Sequence, residues 1–217
     1  MVRIGVLVSG SGSNLQSIMD ACERGEIDGT VAVVISNDPD AYALTRARSK
    51  SVPVASIPHR DYPDRESFDR ELVRVLHEYQ ADLVALAGFM RVLTPWFLQQ
   101  FPARVINIHP ALLPSFPGLH VRQKAIDHGV RISGCTVHFV DAGVDTGPII
   151  IQAAVPVYPE DTEEELKDRI LALEHRIYPK AISLFAQGRL RVEGRKVFIR
   201  GMSRDVAHCL VNPPLDV

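Results

Sequence analysis

Apolar positions in the first half of the chain alternate between two rhythms. Val2–Val8 is nearly continuously apolar and predicts a buried strand, closed by the turn Ser9-Gly10-Ser11-Gly12-Ser13. Over Asn14–Arg24, Leu15, Ile18, Met19 and Cys22 recur at helical spacing on one face. Strands are predicted over Thr30–Ser36, Val52–Ile57, Ala81–Ala87 and Arg104–Ile108. Between them, Ala41–Lys50 reads as helix, and Arg65–Tyr79 as an amphipathic helix with Phe68, Leu72, Val75, Leu76 and Tyr79 inward. Unbroken apolar strands are covered on both faces, so this half predicts a parallel sheet layered by helices.

The pattern changes in the second half. Ser133–Val140 and Pro148–Val157 predict two strands joined only by the Gly-rich loop Asp141–Gly147, a separation that suits antiparallel pairing. Thr162–Ala186 predicts a long helix, with Thr162 as N-cap and Glu163, Glu164 and Glu165 where the helix dipole favours negative charge. Pro179 predicts a kink or break within it. Arg189–Ile199 suggests a terminal hairpin around Glu193-Gly194, and the stretch from Met202 onward has little pattern. The expected organisation is one domain over 1–200, with a tail over 201–217.

Composition narrows the class. With 217 residues, 46% of them hydrophobic, the chain can bury a sizeable core. A formal net charge of −2 argues against holding nucleic acid by bulk charge. No apolar run approaches the roughly 20 residues of a membrane span, and the first strand is too short and too soon followed by glycine to be a signal peptide. Three scattered cysteines, Cys22, Cys135 and Cys209, argue against a disulfide framework or a zinc-thiolate site and for a reducing cytoplasm.

Three segments could carry chemistry. The turn Ser9–Asn14 opens the first helix, where backbone N–H groups can hold a phosphate; a bland tight turn is the alternative. It is only a partial dinucleotide fingerprint, because Leu15 occupies the third glycine position, and no P-loop is present. Asn107 and His109 close the fifth strand, and alternation points both to one side. An amide beside an imidazole can hold an oxyanion while the imidazole moves a proton, although both could equally be structural. The Pro-rich segment Leu112–His120 follows, with His120 a ligand or prop, and Asp141 and Asp145 share a tight turn. Neither His109 nor His120 has partners at zinc spacing, so no metal is expected.

Taken together, the stretches SGSGSNLQ (Ser9–Gln16), DRESFDREL (Asp64–Leu72), LAGFMRVL (Leu86–Leu93), NIHPALLPSFPGLH (Asn107–His120), TVHFVDAGVDTGPII (Thr136–Ile150) and EHRIYP (Glu174–Pro179) resemble the phosphoribosylglycinamide formyltransferase family over roughly residues 1–190. The resemblance implies an α/β, Rossmann-like three-layer fold whose mostly parallel sheet carries an antiparallel C-terminal extension. It implies formyl transfer from 10-formyltetrahydrofolate, the co-substrate, to the amine of glycinamide ribonucleotide in purine synthesis, without a metal. Asn107, His109 and Asp145 map to the catalytic set, with His120 in support. Gly12, Ser13, Asn14 and Glu174 map to the ribonucleotide, the first three lying in residues 1–100, the phosphoribosyl-binding half. Arg65, Met90, Arg91, Val92, Leu93, Asn107, Asp141, Ala142, Gly143, Val144 and Asp145 map to the folate, and residues 101–200 form the folate-binding and catalytic half. The partners implied are these small molecules, with no nucleic acid or membrane, and a monomer or homodimer.

Two departures stand out. Leu171 occupies a position where relatives place a polar or basic substrate contact, and Arg122 stands where many have His. A formyltetrahydrofolate deformylase-like hydrolase is the nearest alternative activity. Methionyl-tRNA formyltransferase, a nicotinamide-dependent dehydrogenase and a non-catalytic nucleotide module fit the motifs less well.

Overall fold

The computed structural model describes residues 1–202, so the tail expected over 201–217 lies, beyond Met202, outside the described residues. The strands are β1 (Val2–Val8), β2 (Gly29–Ser36), β3 (Val54–Ser56), β4 (Leu83–Leu86), β5 (Val105–His109), β6 (Ile132–Phe139), β7 (Ile149–Pro156), β8 (Leu190–Glu193) and β9 (Lys196–Ile199). The helices are α1 (Ser13–Glu23), α2 (Tyr42–Ser49), α3 (Arg65–Glu78), α4 (Pro95–Gln100), α5 (Val121–Asp127) and α6 (Glu163–Ala186).

One sheet runs β3-β2-β1-β4-β5-β6-β7, and β8 and β9 form a separate hairpin. The pairs among β1 to β5 are parallel, whereas β6 is antiparallel to both β5 and β7. From β1 the chain builds outward to β3, then returns to lay β4 on the other side of β1. That reversal makes a crevice at the carboxyl ends of β1 and β4, the place where open α/β sheets bind ligands.

Both faces of the sheet are covered. Ile4, Val6, Val8, Leu83, Ala85 and Ile106 pack under α1, α2 and α6, while Leu7, Val33, Ile35, Val84 and Val105 meet Phe68, Leu72 and Leu76 of α3 and Phe97 of α4. The antiparallel extension has its own small core, in which Cys135 and Val155 meet Leu166 and Ile170 of α6 and Ala125 of α5.

Of the kink or break expected at Pro179, the break does not occur: α6 runs as one helix across it. An interior proline costs about 3 kcal/mol in a helix. Packing on both sides of it opposes that cost. Tyr178 is fully buried with its hydroxyl 3.0 Å from the Leu86 carbonyl and 3.1 Å from that of Ile106, and Ala181 and Ile182 are buried one turn on. At its start, Thr162 and Glu165 form a reciprocal capping box, as the sequence predicts for the cap. The short helices α4 and α5 have too few turns to show a period. The Thr94-Pro95 pair, in which Thr94 accepts from the Phe97 N–H, was the available signal for α4.

Candidate active site

The carboxyl end of β5 holds Asn107 and His109, two residues apart and on one side. His109 is 5% exposed, and acceptors flank both of its ring nitrogens. Nδ1 lies 3.3 Å from Asp145 Oδ2, and Nε2 lies 2.9 Å from the Phe116 carbonyl. Both ring nitrogens thus face acceptors, whereas a neutral imidazole has one N–H to donate. Asp145 itself adopts the left-handed conformation, φ 56°, which Asp tolerates better than most residues. The Gly118 N–H donates to its Oδ2 at 2.8 Å, which fixes the carboxylate against the Pro-rich loop.

One member of this cluster is absent from the sequence-derived set. His138 on β6 faces Asn107 across the antiparallel ladder, with 3.2 Å between Asn107 Nδ2 and His138 Nε2. The His138 Nδ1–H donates to the Phe139 carbonyl at 2.8 Å, so Nε2 is left to accept from the amide of Asn107. Burial holds the His138 ring below the usual imidazole range, keeping it neutral in that role. Its 3.7 Å separation from Asp145 Oδ1 is therefore not an ion pair. His138 sets the orientation of the Asn107 amide; its place opposite Asn107 comes from the antiparallel register of β6 on β5, which neither strand's sequence shows alone.

The Ser9–Asn14 turn lies across the crevice. Gly12 caps α1 at φ 73°, and a Cβ there would stand 2.6 Å from that of Ala43. Only glycine allows both the left-handed backbone and the close approach of α2. The N–H groups of the first helical turn have no intrahelical acceptor, and no side chain caps them. Behind the turn, the buried Asn14 donates through Nδ2 to Glu174 Oε2 at 2.7 Å, while Asn14 Oδ1 is buried without a partner. Burial pushes the Glu174 carboxyl up, against the Asn14 hydrogen bond and the nearby Arg122 and His109.

The third wall joins two loops. Met90 and Val92 are exposed at the end of β4, while Leu93 turns inward into the core beside α3. Ser9 ties this loop to the turn, because its Oγ accepts from the Met90 N–H at 2.8 Å. The buried Asp69 of α3 accepts from the Thr94 N–H at 2.7 Å, and burial raises its carboxyl. Asp141 folds the opposite loop by accepting from the Gly143 N–H at 3.1 Å and the Thr146 hydroxyl at 2.6 Å, leaving Ala142, Gly143 and Val144 exposed. Arg65 and Arg70 line a cavity of about 490 Å³ at the start of α3. His120 sits exposed at the start of α5 and, among the described residues, makes no side-chain hydrogen bond to His109 or Asp145.

A buried imidazole held by a carboxylate, with an oriented amide beside it, at the crevice of a Rossmann-like sheet, is an arrangement that can hold an oxyanion and move a proton. The chain belongs to the formyl transferase family, whose profile matches residues 2–182. It is 44% identical to the phosphoribosylglycinamide formyltransferase of Escherichia coli (strain K12), over 92% of this chain and 94% of that one. It is 42% identical to the trifunctional purine biosynthetic protein adenosine-3 of Homo sapiens, of which it spans 19%. Among solved structures, glycinamide ribonucleotide transformylase 1 from Symbiobacterium toebii is similar at 58% identity and a TM-score of 0.91, covering 92% of this chain and 94% of that one. Among the described residues, no helix is long and apolar enough to cross a membrane.

Proposed function

We infer that the chain is a phosphoribosylglycinamide formyltransferase: it moves a formyl group from formyl-folate to the amine of glycinamide ribonucleotide in purine biosynthesis. The activity rests on the family and on relatives of known function. We further propose that the donor is 10-formyltetrahydrofolate, that the turns and loops of the crevice bind as follows, and that residues 1–200 work as one domain in the cytoplasm, as a monomer or homodimer. Free thiols at Cys22 and Cys135 suit such a reducing compartment.

The observation that carries the mechanism is His109 between two acceptors with Asn107 two residues away on the same strand face. The neutral amine of the ribonucleotide attacks the formyl carbon, and a C–N bond forms as the carbonyl pair moves to oxygen. Asn107 and His109 donate hydrogen bonds to the oxyanion. For this, His109 Nε2–H exchanges the Phe116 carbonyl for the substrate oxygen. The intermediate collapses by breaking the bond to the folate nitrogen, which leaves with a proton from His109. The attacking amine loses a proton to Asp145, directly or through water. The products are the formylated ribonucleotide and tetrahydrofolate.

Binding follows the three walls. The Gly12, Ser13 and Asn14 turn holds the phosphate, and Glu174 the polar ribose end. Met90, Arg91, Val92 and Leu93 face Asp141–Asp145 across a folate slot, in which Met90 and Val92 supply apolar walls and Leu93 supports from within the core. Arg65 meets the glutamate tail at the cavity beside α3. Residues 1–100 thus contribute the ribonucleotide turn and one side of the folate slot, and residues 101–200 the reacting groups. The test is absorbance of tetrahydrofolate release with and without glycinamide ribonucleotide. Transfer requires both substrates for release; release at the same rate without the ribonucleotide would make the protein a hydrolase.

A further inference from the structure

The carboxyl ends of β2, β1 and β4 are neighbours in the sheet order, and a line of polar groups crosses them. Asn37 follows β2, Ser9 follows β1, and the irregular segment 87–94 follows β4. The Ser9 hydroxyl donates to Asn37 Oδ1 at 2.5 Å, and its oxygen accepts from the Met90 N–H at 2.8 Å. A hydroxyl has one proton, so giving it to Asn37 leaves the Ser9 lone pairs to Met90. Asn37 is buried, and its Nδ2 lies 3.1 Å from His59 Nδ1, which turns the amide oxygen toward Ser9.

The other end of the segment is tied to α3. Asp69 is 1% exposed and accepts from the Thr94 N–H at 2.7 Å. Burying a carboxylate is costly, and a position that only packed would take an apolar side chain. Burial raises the Asp69 carboxyl, while the Thr94 hydrogen bonds and then the charges of Arg65 and Arg91 oppose that rise. Among the described residues, Met90 and Thr94 are the two N–H groups from Gly88 to Thr94 that donate to a protein acceptor, and both acceptors are side chains from other elements. Between the two ties, the N–H groups of Arg91 and Val92 have no such acceptor, and Val92 is exposed.

We propose that Ser9, backed by Asn37, and Asp69 are positioning residues for the folate: they fix the segment 90–94 from both ends in the shape that presents the backbone of Arg91 and Val92 to the pterin. This rests on the folate-slot reading above. None of the three side chains touches the ligand in this account. Their effect is preorganisation, because a segment that holds the binding shape only part of the time binds more weakly by that fraction. Untying one end therefore acts on folate affinity. Turnover at saturation is held, since Asn107, His109 and Asp145 lie on β5 and the β6–β7 loop. A role in stability alone would lower the melting temperature and leave both KM values in place.

Two measurements decide it. In steady-state kinetics, Ser9→Ala, Asn37→Leu and Asp69→Ala each raise the folate KM by about threefold to tenfold, the size of one net hydrogen bond. The ribonucleotide KM and kcat stay within about twofold. Asp69→Asn keeps an oxygen for the Thr94 N–H and recovers most of the loss. In the second measurement, calorimetric titration with folic acid alone gives Kd values that follow the same order. Wild-type folate KM and folic acid Kd in folded Ser9→Ala overturn the assignment, as does an equal rise of both KM values or an Asp69→Asn protein as weak as Asp69→Ala. Should Asp69→Ala fail to fold, Ser9→Ala at its half-buried position and Asp69→Asn, expected near wild type, carry the test. Wild-type protein that does not bind folic acid would end the folate reading itself; binding by wild type that is unchanged in the variants ends the positioning roles alone.

Discussion

At the scale of single residues, geometry separates groups that act from groups that hold them. His138 is a positioning residue: its neutral Nε2 accepts from the Asn107 amide across β5 and β6. His138→Phe keeps a flat aromatic ring, though a larger one, and removes the acceptor. It should lower kcat by about tenfold or more while both KM values move little, because the loss falls on an interaction made in the transition state. An unchanged kcat in a folded variant would return His138 to a packing role. Glu174 gives a pH-dependent prediction of opposite character. Burial raises its folded pKa above the ordinary carboxylate value, so its contribution to stability is present below about pH 4 and is lost as pH rises through the folded value. Glu174→Gln retains an acceptor for Asn14 and cannot ionise. Thermal melts should therefore show the variant gaining stability over wild type at pH 8 and matching it near pH 4, while the ribonucleotide KM rises. Equal melting shifts at both pH values would contradict the sign. Strand alternation put Asn107 and His109 on one side and the family resemblance supplied their expected roles, whereas His138 was not legible, since its place opposite Asn107 depends on a register that no single strand encodes.

At the scale of elements, the central strands and the antiparallel β6–β7 pair are where the apolar runs and the short connecting loop put them. The elements that escaped were set by neighbours. Pro179 carries a local rule for breaking a helix, and burial of Tyr178, Ala181 and Ile182 against the sheet overrides it. Leu93, expected beside the folate from its place in LAGFMRVL, has its side chain in the core cluster with Leu72 and Phe97, a direction that the pattern of the segment does not give. The α1 entry gives a stability prediction. Gly12→Ala puts a Cβ into Ala43 and a non-glycine residue at φ 73°, which costs roughly 1–2 kcal/mol from the backbone alone. Denaturant unfolding should show at least that loss, with the ribonucleotide KM raised more than the folate KM. Wild-type stability in the variant would mean that α2 can move away freely.

At the scale of the whole molecule, the sheet order brings distant segments to one crevice. The β1–α1 turn, the β4 loop and the end of β5 meet where the strand order reverses, and the hairpin β6–β7 delivers Asp145 back onto His109. The spacing of motifs along the chain carried the family resemblance, but only the fold brings the residue pairs together over separations such as Asn14 to Glu174. The central claim is that Asp145 holds His109 for proton transfer and oxyanion stabilisation. Asp145→Asn tests it cleanly, because Asn tolerates φ 56° as Asp does, keeps the side-chain shape and removes the charge. The decisive measurement is the single-turnover rate of formyl transfer with both substrates saturating. The mechanism predicts a fall of about a hundredfold or more in a variant with a near wild-type melting temperature. A rate within twofold of wild type would contradict it and leave Asp145 as a residue that only shapes its turn.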